Sequence, residues 1–431
     1  MNELPRKLSL IDSISIVVGV IIGAGIFLVP SDVARSLPST PLIAAVWVAA
    51  GILTFFGALA FAEMGAAMPS TGGQYVFLRE AFGPLWAFLC GWTFLLVSMT
   101  ASMAWLAVSF CRYLQYFIPL DPWQAKGAAL VLVFVLTYIN YRGVTLGAWV
   151  QKIFTAAKIL GIVVLVIAAF LAPARTSLAN EPSIPFRFGD FGVAMIACLL
   201  AYDGWVNMSF VAGEIQNPRK NVFRALLIGV ALAMVLYLSA NAAYLLVLSP
   251  AELAKTERVG ATVAERTMGS IGAAFVAGTI LLSVIGSLNG RFMTQARVYF
   301  AQARDGLFFE KFGEIHPKYQ TPAFSLWVQA AWSAVLIVTG TYEYLIDYAL
   351  FAIWLFYGIS VAGLFALRRK FPDLERPYKM WGYPVTPALF VIVAGWFVVN
   401  TAIERPWPSL TALGLIALGF PAYWYWASRR A

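Results

Sequence analysis

Runs of about 20 apolar residues recur along almost the whole chain, each long enough to carry a helix across roughly 30 Å of hydrocarbon. The spacing predicts spans near 10 to 36, 42 to 66, 84 to 117, 126 to 141, 149 to 172, 188 to 213, 222 to 248, 270 to 302, 322 to 339, 343 to 367, 384 to 402 and 408 to 427. These are twelve helices in one transmembrane domain over residues 1–431, with little chain left for a soluble domain. Hydrophobic residues make up 61% of the chain and charged ones 12%, a balance that a soluble core of this size does not need.

The first run departs from the pattern. Ser13 to Pro30 reads SISIVVGVIIGAGIFLVP, an apolar segment interrupted near its middle by Gly23-Ala24-Gly25. In hydrocarbon an unpaired N–H or C=O costs several kcal/mol, so a spanning helix breaks only where the freed groups are buried in protein or engage a ligand. The half-helix beginning near Gly25 offers unpaired amides and a positive dipole end, which suit a carboxylate. The preceding half ends in free carbonyls at Ile21 and Ile22, which suit an ammonium. One break thus offers both halves of a zwitterion site. The competing reading is close helix packing, for which Gly19 and Gly23 have the spacing.

A second interruption, at Asp203-Gly204, lies within Met195 to Phe210, MIACLLAYDGWVNMSF. Two broken helices in corresponding positions suggest an inverted repeat, with spans 1 to 5 and 6 to 10 as halves of opposite topology and spans 11 and 12 added. Transporters so built bind substrate at the midplane, where the breaks meet. Asp203 can pair with a cationic group, bind a proton, or cap the half-helix starting at Gly204, and capping is the plainest of these. The carbonyls of Leu200, Ala201 and Asp203 are then free for a substrate ammonium.

Lys158 lies about nine residues into span 5, roughly 14 Å along the axis, too deep for an ordinary end anchor. Its ammonium can stand where another transporter binds sodium, locking span 1 against span 8, can exchange a proton, or can snorkel towards the cytoplasm. Arg291 and Arg297 either line a cytoplasmic vestibule or mark the wet inner end of span 8, the second being the plainer reading, and Glu63 reads as an ion pair or cap at the inner end of span 2 or as a part of the transport cycle. Helical propensity at Pro250 to Leu253 and at Ala261 to Thr267 predicts a small helix covering the site.

Lys and Arg concentrate in the connections that are cytoplasmic if both termini are inside, among them Arg219, Lys220, Arg304, Arg368, Arg369 and Lys370. The opposite connections hold fewer, chiefly Lys126, Arg175, Arg187, Lys255, Arg258, Arg266 and Arg405. The formal charge of +9 therefore fits anchoring to an anionic leaflet of the bilayer, and no nucleic-acid partner is expected. No cleavable signal peptide is expected, since Met1 to Leu10 leads straight into an uncut span. Cys90, Cys111 and Cys198 show neither a pairing pattern nor metal spacing, so no disulfide, metal or cofactor is expected. The single histidine, His316, sits beside Pro317 in a loop, and no phosphate-cradling Gly-Lys-Ser/Thr element is present. Neither enzymatic catalysis nor ATP-driven transport is indicated.

Several of these stretches resemble the amino acid–polyamine–organocation superfamily, and within it the L-type amino acid transporter branch. They are VGVIIGAGIFLVP at 18 to 30, EMGAAMPSTGGQYVFLREAFG at 63 to 83, FTAAKILG at 154 to 161, AYDGWVNMSFVAGEIQNPRKN at 201 to 221 and GSLNGRFMTQARVYFAQARDG at 286 to 306. RRKFPDLERPYKMWGYP after span 10 extends the match. The resemblance implies an all-α, leucine-transporter-like fold working by alternating access on amino acids. It puts binding positions at Ile21, Gly23, Ala24, Gly25 and Ile26 in span 1, and at Leu200, Ala201, Asp203 and Gly204 in span 6. Trp354 matches a side-chain-pocket position, and Lys158 matches the lysine that replaces a sodium site.

The chain departs from that branch in three ways. Leu200 stands where an aromatic gate is frequent, Arg291 where relatives carry a small residue, and Val206 where asparagine is usual. The loop from Ile118 to Lys126 has no cysteine, so no disulfide-linked heavy subunit is expected and a bacterial inner-membrane origin fits better. The expectation is a sodium-independent exchanger of neutral L-amino acids. A proton-coupled symporter, a cationic amino acid or polyamine transporter, and a membrane amino acid sensor stay open, whereas a channel would need a continuous polar pore that these spans do not offer.

Overall fold

The computed structural model describes residues 3–37, 39–172 and 188–430. Of the loop expected at 174 to 189, everything up to residue 187, with Arg175 and Arg187, lies outside the described residues. Among the described residues the chain is helical, with no strand beyond a single parallel bridge between Leu8 and Ile215.

The first apolar run forms α1 (Leu10–Ile21) and α2 (Gly25–Ser36), bent by 41° at the break. A capping box starts α1: Ser9 and Asp12 each accept the other's backbone N–H. There follow α3 (Thr40–Ala67) and α4 (Gln74–Phe82). Next, α5 (Pro84–Thr93) and α6 (Met99–Leu114) are joined into one span by a π-helical turn over Phe94–Ser98. After α7 (Pro122–Tyr141) and α8 (Val144–Leu171), α9 (Phe188–Ala201) runs to the second break, beyond which only the four-residue α10 (Asn207–Phe210) restarts. The remainder is α11 (Pro218–Val247), α12 (Pro250–Lys255), α13 (Val259–Met268), α14 (Ser270–Arg304), α15 (Ala323–Thr339), α16 (Tyr342–Lys370), α17 (Val385–Glu404), α18 (Pro406–Ala417) and α19 (Gly419–Arg430).

Among the described residues nine helices are long and apolar enough to cross a membrane, or ten if α1 and α2 form one bent span. Every predicted span overlaps helix, but those near 188 to 213 and 322 to 339 fall short of that length. The predicted small helix between spans 7 and 8 is a pair, α12 and α13, both packed on α2, and Arg35 of α2 donates to the Ala254 carbonyl at 2.9 Å.

α3 lies along α11, α1 packs on α11, α8 and α14, and α2 meets α9. Where the N-terminal segment pairs with Ile215, buried charges are compensated in pairs. Arg297 is wholly buried and holds Glu214 by two bonds, Nε to Oε1 at 2.7 Å and Nη2 to Oε2 at 3.0 Å. It therefore does not mark a wet helix end, as the sequence suggests. Glu63 shows the ion-pair role, accepting from Arg368 at 2.8 and 2.6 Å and from the Met380 amide at 2.7 Å. His316 organises its own turn, its Nδ1 accepting the amides of Lys318 and Tyr319. All three cysteines are buried as free thiols.

Removing one partner of a buried ion pair strands the other charge and costs about 3–5 kcal/mol, against about 1 kcal/mol or less for an exposed pair. Glu214→Ala should therefore lower the melting temperature in detergent clearly more than Arg219→Ala, which breaks the exposed pair with Glu375. Equal shifts would contradict this account of the interior.

Candidate functional site

The two breaks face each other. α1 ends at Ile21, Ile22 is extended (φ −78°, ψ 91°), and α2 restarts at Gly25 with no side chain capping its first amides. By position, those amides lack a carbonyl one turn earlier. A Cβ on Gly25 would lie 3.1 Å from the Ala201 Cα, so glycine lets α2 meet the end of α9 backbone to backbone. Gly204 has φ +116°, and a Cβ there would lie 2.7 Å from Val20 Cγ1, so both conformation and contact demand glycine. The packing reading applies to Gly19, whose Cβ would lie 2.0 Å from Gln151 Nε2, but not to Gly23, where the nearest atom is Ser287 Oγ at 3.5 Å. Tyr237 of α11 ties the breaks together. Its Oη is 2.9 Å from the Ile21 carbonyl and 3.0 Å from that of Ala201, so one hydroxyl proton serves both ends.

Lys158 is fully buried on α8 and donates to the carbonyls of Gly19 at 2.8 Å, Ile22 at 2.6 Å and Ser283 of α14 at 2.8 Å. It does not snorkel, and it joins span 1 to span 8 as the sequence suggested. Ser283 Oγ adds contacts to the carbonyls of Ile22 at 2.9 Å and Gly23 at 3.0 Å.

These bonds correct one expectation. The carbonyls of Ile21 and Ile22 are not free for a ligand ammonium: Ile21 is met by Tyr237 and the Gly23 amide, Ile22 by Lys158 and Ser283. A carbonyl has two lone pairs, so both are saturated. At the second break the Leu200 carbonyl takes the Asp203 amide at 3.2 Å and the Ala201 carbonyl takes Tyr237, which leaves acceptor capacity there.

A cavity of about 200 Å³ lies between the breaks. Of the predicted site residues, Ile21, Gly23, Ala24, Gly25, Leu200, Ala201 and Asp203 line it. Ile26 and Gly204 are buried outside that lining, and Lys158 supports it from behind. Trp354 turns away, stacking on Phe390 and Phe397 of α17 at centroid distances of 6.0 and 4.8 Å, and Leu350 and Ile353 contribute from α16 in its place. Trp105 of α6 brings an aromatic ring to the same lining as Leu200.

Asp203 caps no helix, because α10 starts at Asn207 without a side-chain cap. Its Oδ2 pairs instead with Arg291 Nη2 at 3.1 Å and its Oδ1 accepts from Tyr357 Oη at 2.7 Å. Arg291 accordingly faces the cavity and not a wet helix end. Tyr237, Trp105 and Ser283 carry no local motif. A tyrosine inside an apolar span is the one available signal, since a buried hydroxyl needs a partner.

A helical bundle of membrane-crossing length, with two backbone breaks opening on one small internal cavity, defines a membrane transporter. Residues 8–419 match the amino acid permease family model, and the chain belongs to that family, within the amino acid–polyamine–organocation superfamily. It is similar to the b(0,+)-type amino acid transporter 1 of Mus musculus, 33% identical over 435 residues, with 98% of this chain and 88% of the relative covered. It is also similar to the serine/threonine exchanger SteT of Bacillus subtilis, at 31% identity over 100% of this chain and 99% of that one. The cystine/glutamate transporter of Homo sapiens is 31% identical, with coverage of 98% and 85%.

Overpacking a tight contact costs about 1–3 kcal/mol, and each 1.4 kcal/mol is tenfold in affinity. Gly25→Leu should thus reduce amino acid uptake by about tenfold or more while the protein still elutes as a folded species. Normal uptake by this variant would sink the assignment of the first break.

Proposed function

We propose that this protein is a sodium-independent exchanger of neutral L-amino acids that works by alternating access in a bacterial inner membrane, with both termini cytoplasmic. The observation carrying the reading is the Lys158 ammonium, which donates to Gly19, Ile22 and Ser283 carbonyls between α1, α8 and α14. Those oxygens are the ligand type a hard cation requires, and a fixed positive charge among them repels one. Substrate carboxylate is assigned to the uncapped amides at the start of α2, those of Gly25 and Ile26, where the helix dipole favours an anion, since the Gly23 amide is already committed to the Ile21 carbonyl. The α-ammonium is assigned to the Leu200, Ala201 and Asp203 carbonyls of the second break, because those of the first are taken.

The packing supports a twelve-span, leucine-transporter-like arrangement of two five-span repeats. α6 packs on α7, α15 and α16, and α14 packs on α15, α7 and α8, so exchanging each span for the one five places later maps one set of contacts onto the other. The relative named as a serine/threonine exchanger supports the antiport mode. The loop from Ile118 to Lys126 has no cysteine, which supports action without a disulfide-linked heavy subunit.

The test is uptake of labelled amino acids into proteoliposomes. Uptake should require internal amino acid and be unchanged when sodium is removed, and a pH gradient across vesicles empty of amino acid should drive no accumulation. Accumulation under a pH gradient alone would replace exchange by proton symport. Lys158→Ala should cut uptake at least about tenfold, since each buried carbonyl left unpaired costs about 1–3 kcal/mol.

A further inference from the structure

Among the described residues, Asp203 and Arg291 are the charged side chains that line the cavity. They cancel each other: Arg291 Nη2 is 3.1 Å from Asp203 Oδ2, with side chains only 9% and 13% exposed. Tyr357 Oη occupies the other carboxylate oxygen at 2.7 Å, so neither oxygen of Asp203 is without a partner. Lys158 does not reach the cavity and is committed to its three carbonyls. The walls beyond the breaks are otherwise uncharged, mostly apolar from Trp105, Leu106, Leu350 and Ile353, with the hydroxyl-bearing Ser102 and Ser287 among them.

A shielded carboxylate of this kind, left alone, recruits a cation, and in a substrate cavity that cation would be the substrate's side chain. Here the protein supplies its own. The guanidinium is held in turn by Asp203, while its Nε is buried without a hydrogen-bond partner. Without the carboxylate, Arg291 would be a desolvated cation able to hold an acidic side chain.

We propose that Arg291 is a specificity-determining residue, a tethered cation that fills the carboxylate of Asp203. The pair confines the cavity to amino acids whose side chains carry no net charge. Selectivity arises by exclusion: a lysine or arginine side chain must displace Arg291, and a glutamate side chain must displace Asp203. The inference rests on the transport reading above and adds the residue that sets the accepted class.

The test compares labelled L-leucine, L-serine, L-arginine and L-glutamate in proteoliposomes. Wild type should carry leucine or serine and exclude arginine and glutamate. Arg291→Gln, which keeps much of the side-chain bulk, should raise arginine uptake relative to neutral uptake by about tenfold or more. Asp203→Asn should raise the glutamate ratio instead. The double variant, neutral again, should lose both gains, which separates charge from the space created. If a single variant does not fold, competition by unlabelled arginine and glutamate against wild-type neutral uptake still decides, and effective inhibition by either would overturn the proposal. It is likewise overturned if Arg291→Gln carries neutral amino acids with no gain for arginine. A wild type that carries no amino acid at all would overturn the transport reading, and this inference with it. Neutral uptake without the charge switch would overturn this inference alone.

Discussion

An ammonium has three protons, and that of Lys158 directs them to three backbone carbonyls on two different helices. One of these, Ile22, lies where α1 stops, and its oxygen would otherwise face a low-dielectric interior with too few donors. The lysine thereby makes the break tolerable at that depth and fastens α1 to α8 and α14. Ser283 and Ser287 extend the fastening with hydroxyls on Ile22, Gly23 and Val20. The position of the cavity follows from this, because the start of α2 is set by where α1 is held.

Tyr237 carries the arrangement across to the second break through its contacts with Ile21 and Ala201. The consequence is a division of labour. The first break spends its carbonyls on the protein and presents amides, whereas the second keeps acceptor capacity at Leu200 and Ala201. Gly25 and Gly204 permit this by letting backbones approach where any side chain would intrude. The buried Arg297–Glu214 pair and the Glu63–Arg368 pair compensate charges at other places in the bundle.

Much of the fold was legible because hydrocarbon punishes every unpaired backbone group, so apolar run length reports helices and an interruption reports a site. Gly23-Ala24-Gly25, Asp203-Gly204 and the depth of Lys158 were visible for that reason. The π-helical turn at Phe94–Ser98 was not, since the surrounding run is apolar on most sides and an extra residue in one turn leaves no interruption in it. Nor was the facing of Trp354, which depends on Phe390 and Phe397 of a later helix.

The charged residues mark the boundary most clearly. Sequence alone established that Asp203, Arg291, Arg297 and Glu63 sit in or beside membrane-crossing segments, where an ionisable group needs a partner. It could not say which partner, because Asp203 meets Arg291 and Glu214 meets Arg297 across wide separations in the chain. By itself the sequence determined the helices, their breaks and the depth of the lysine, all properties of local hydrophobicity and backbone hydrogen bonding. Only the tertiary structure decided that the carbonyls of the first break are already filled and that the cavity's two charges neutralise each other, because hydrogen bonds and ion pairs form between atoms brought together by packing.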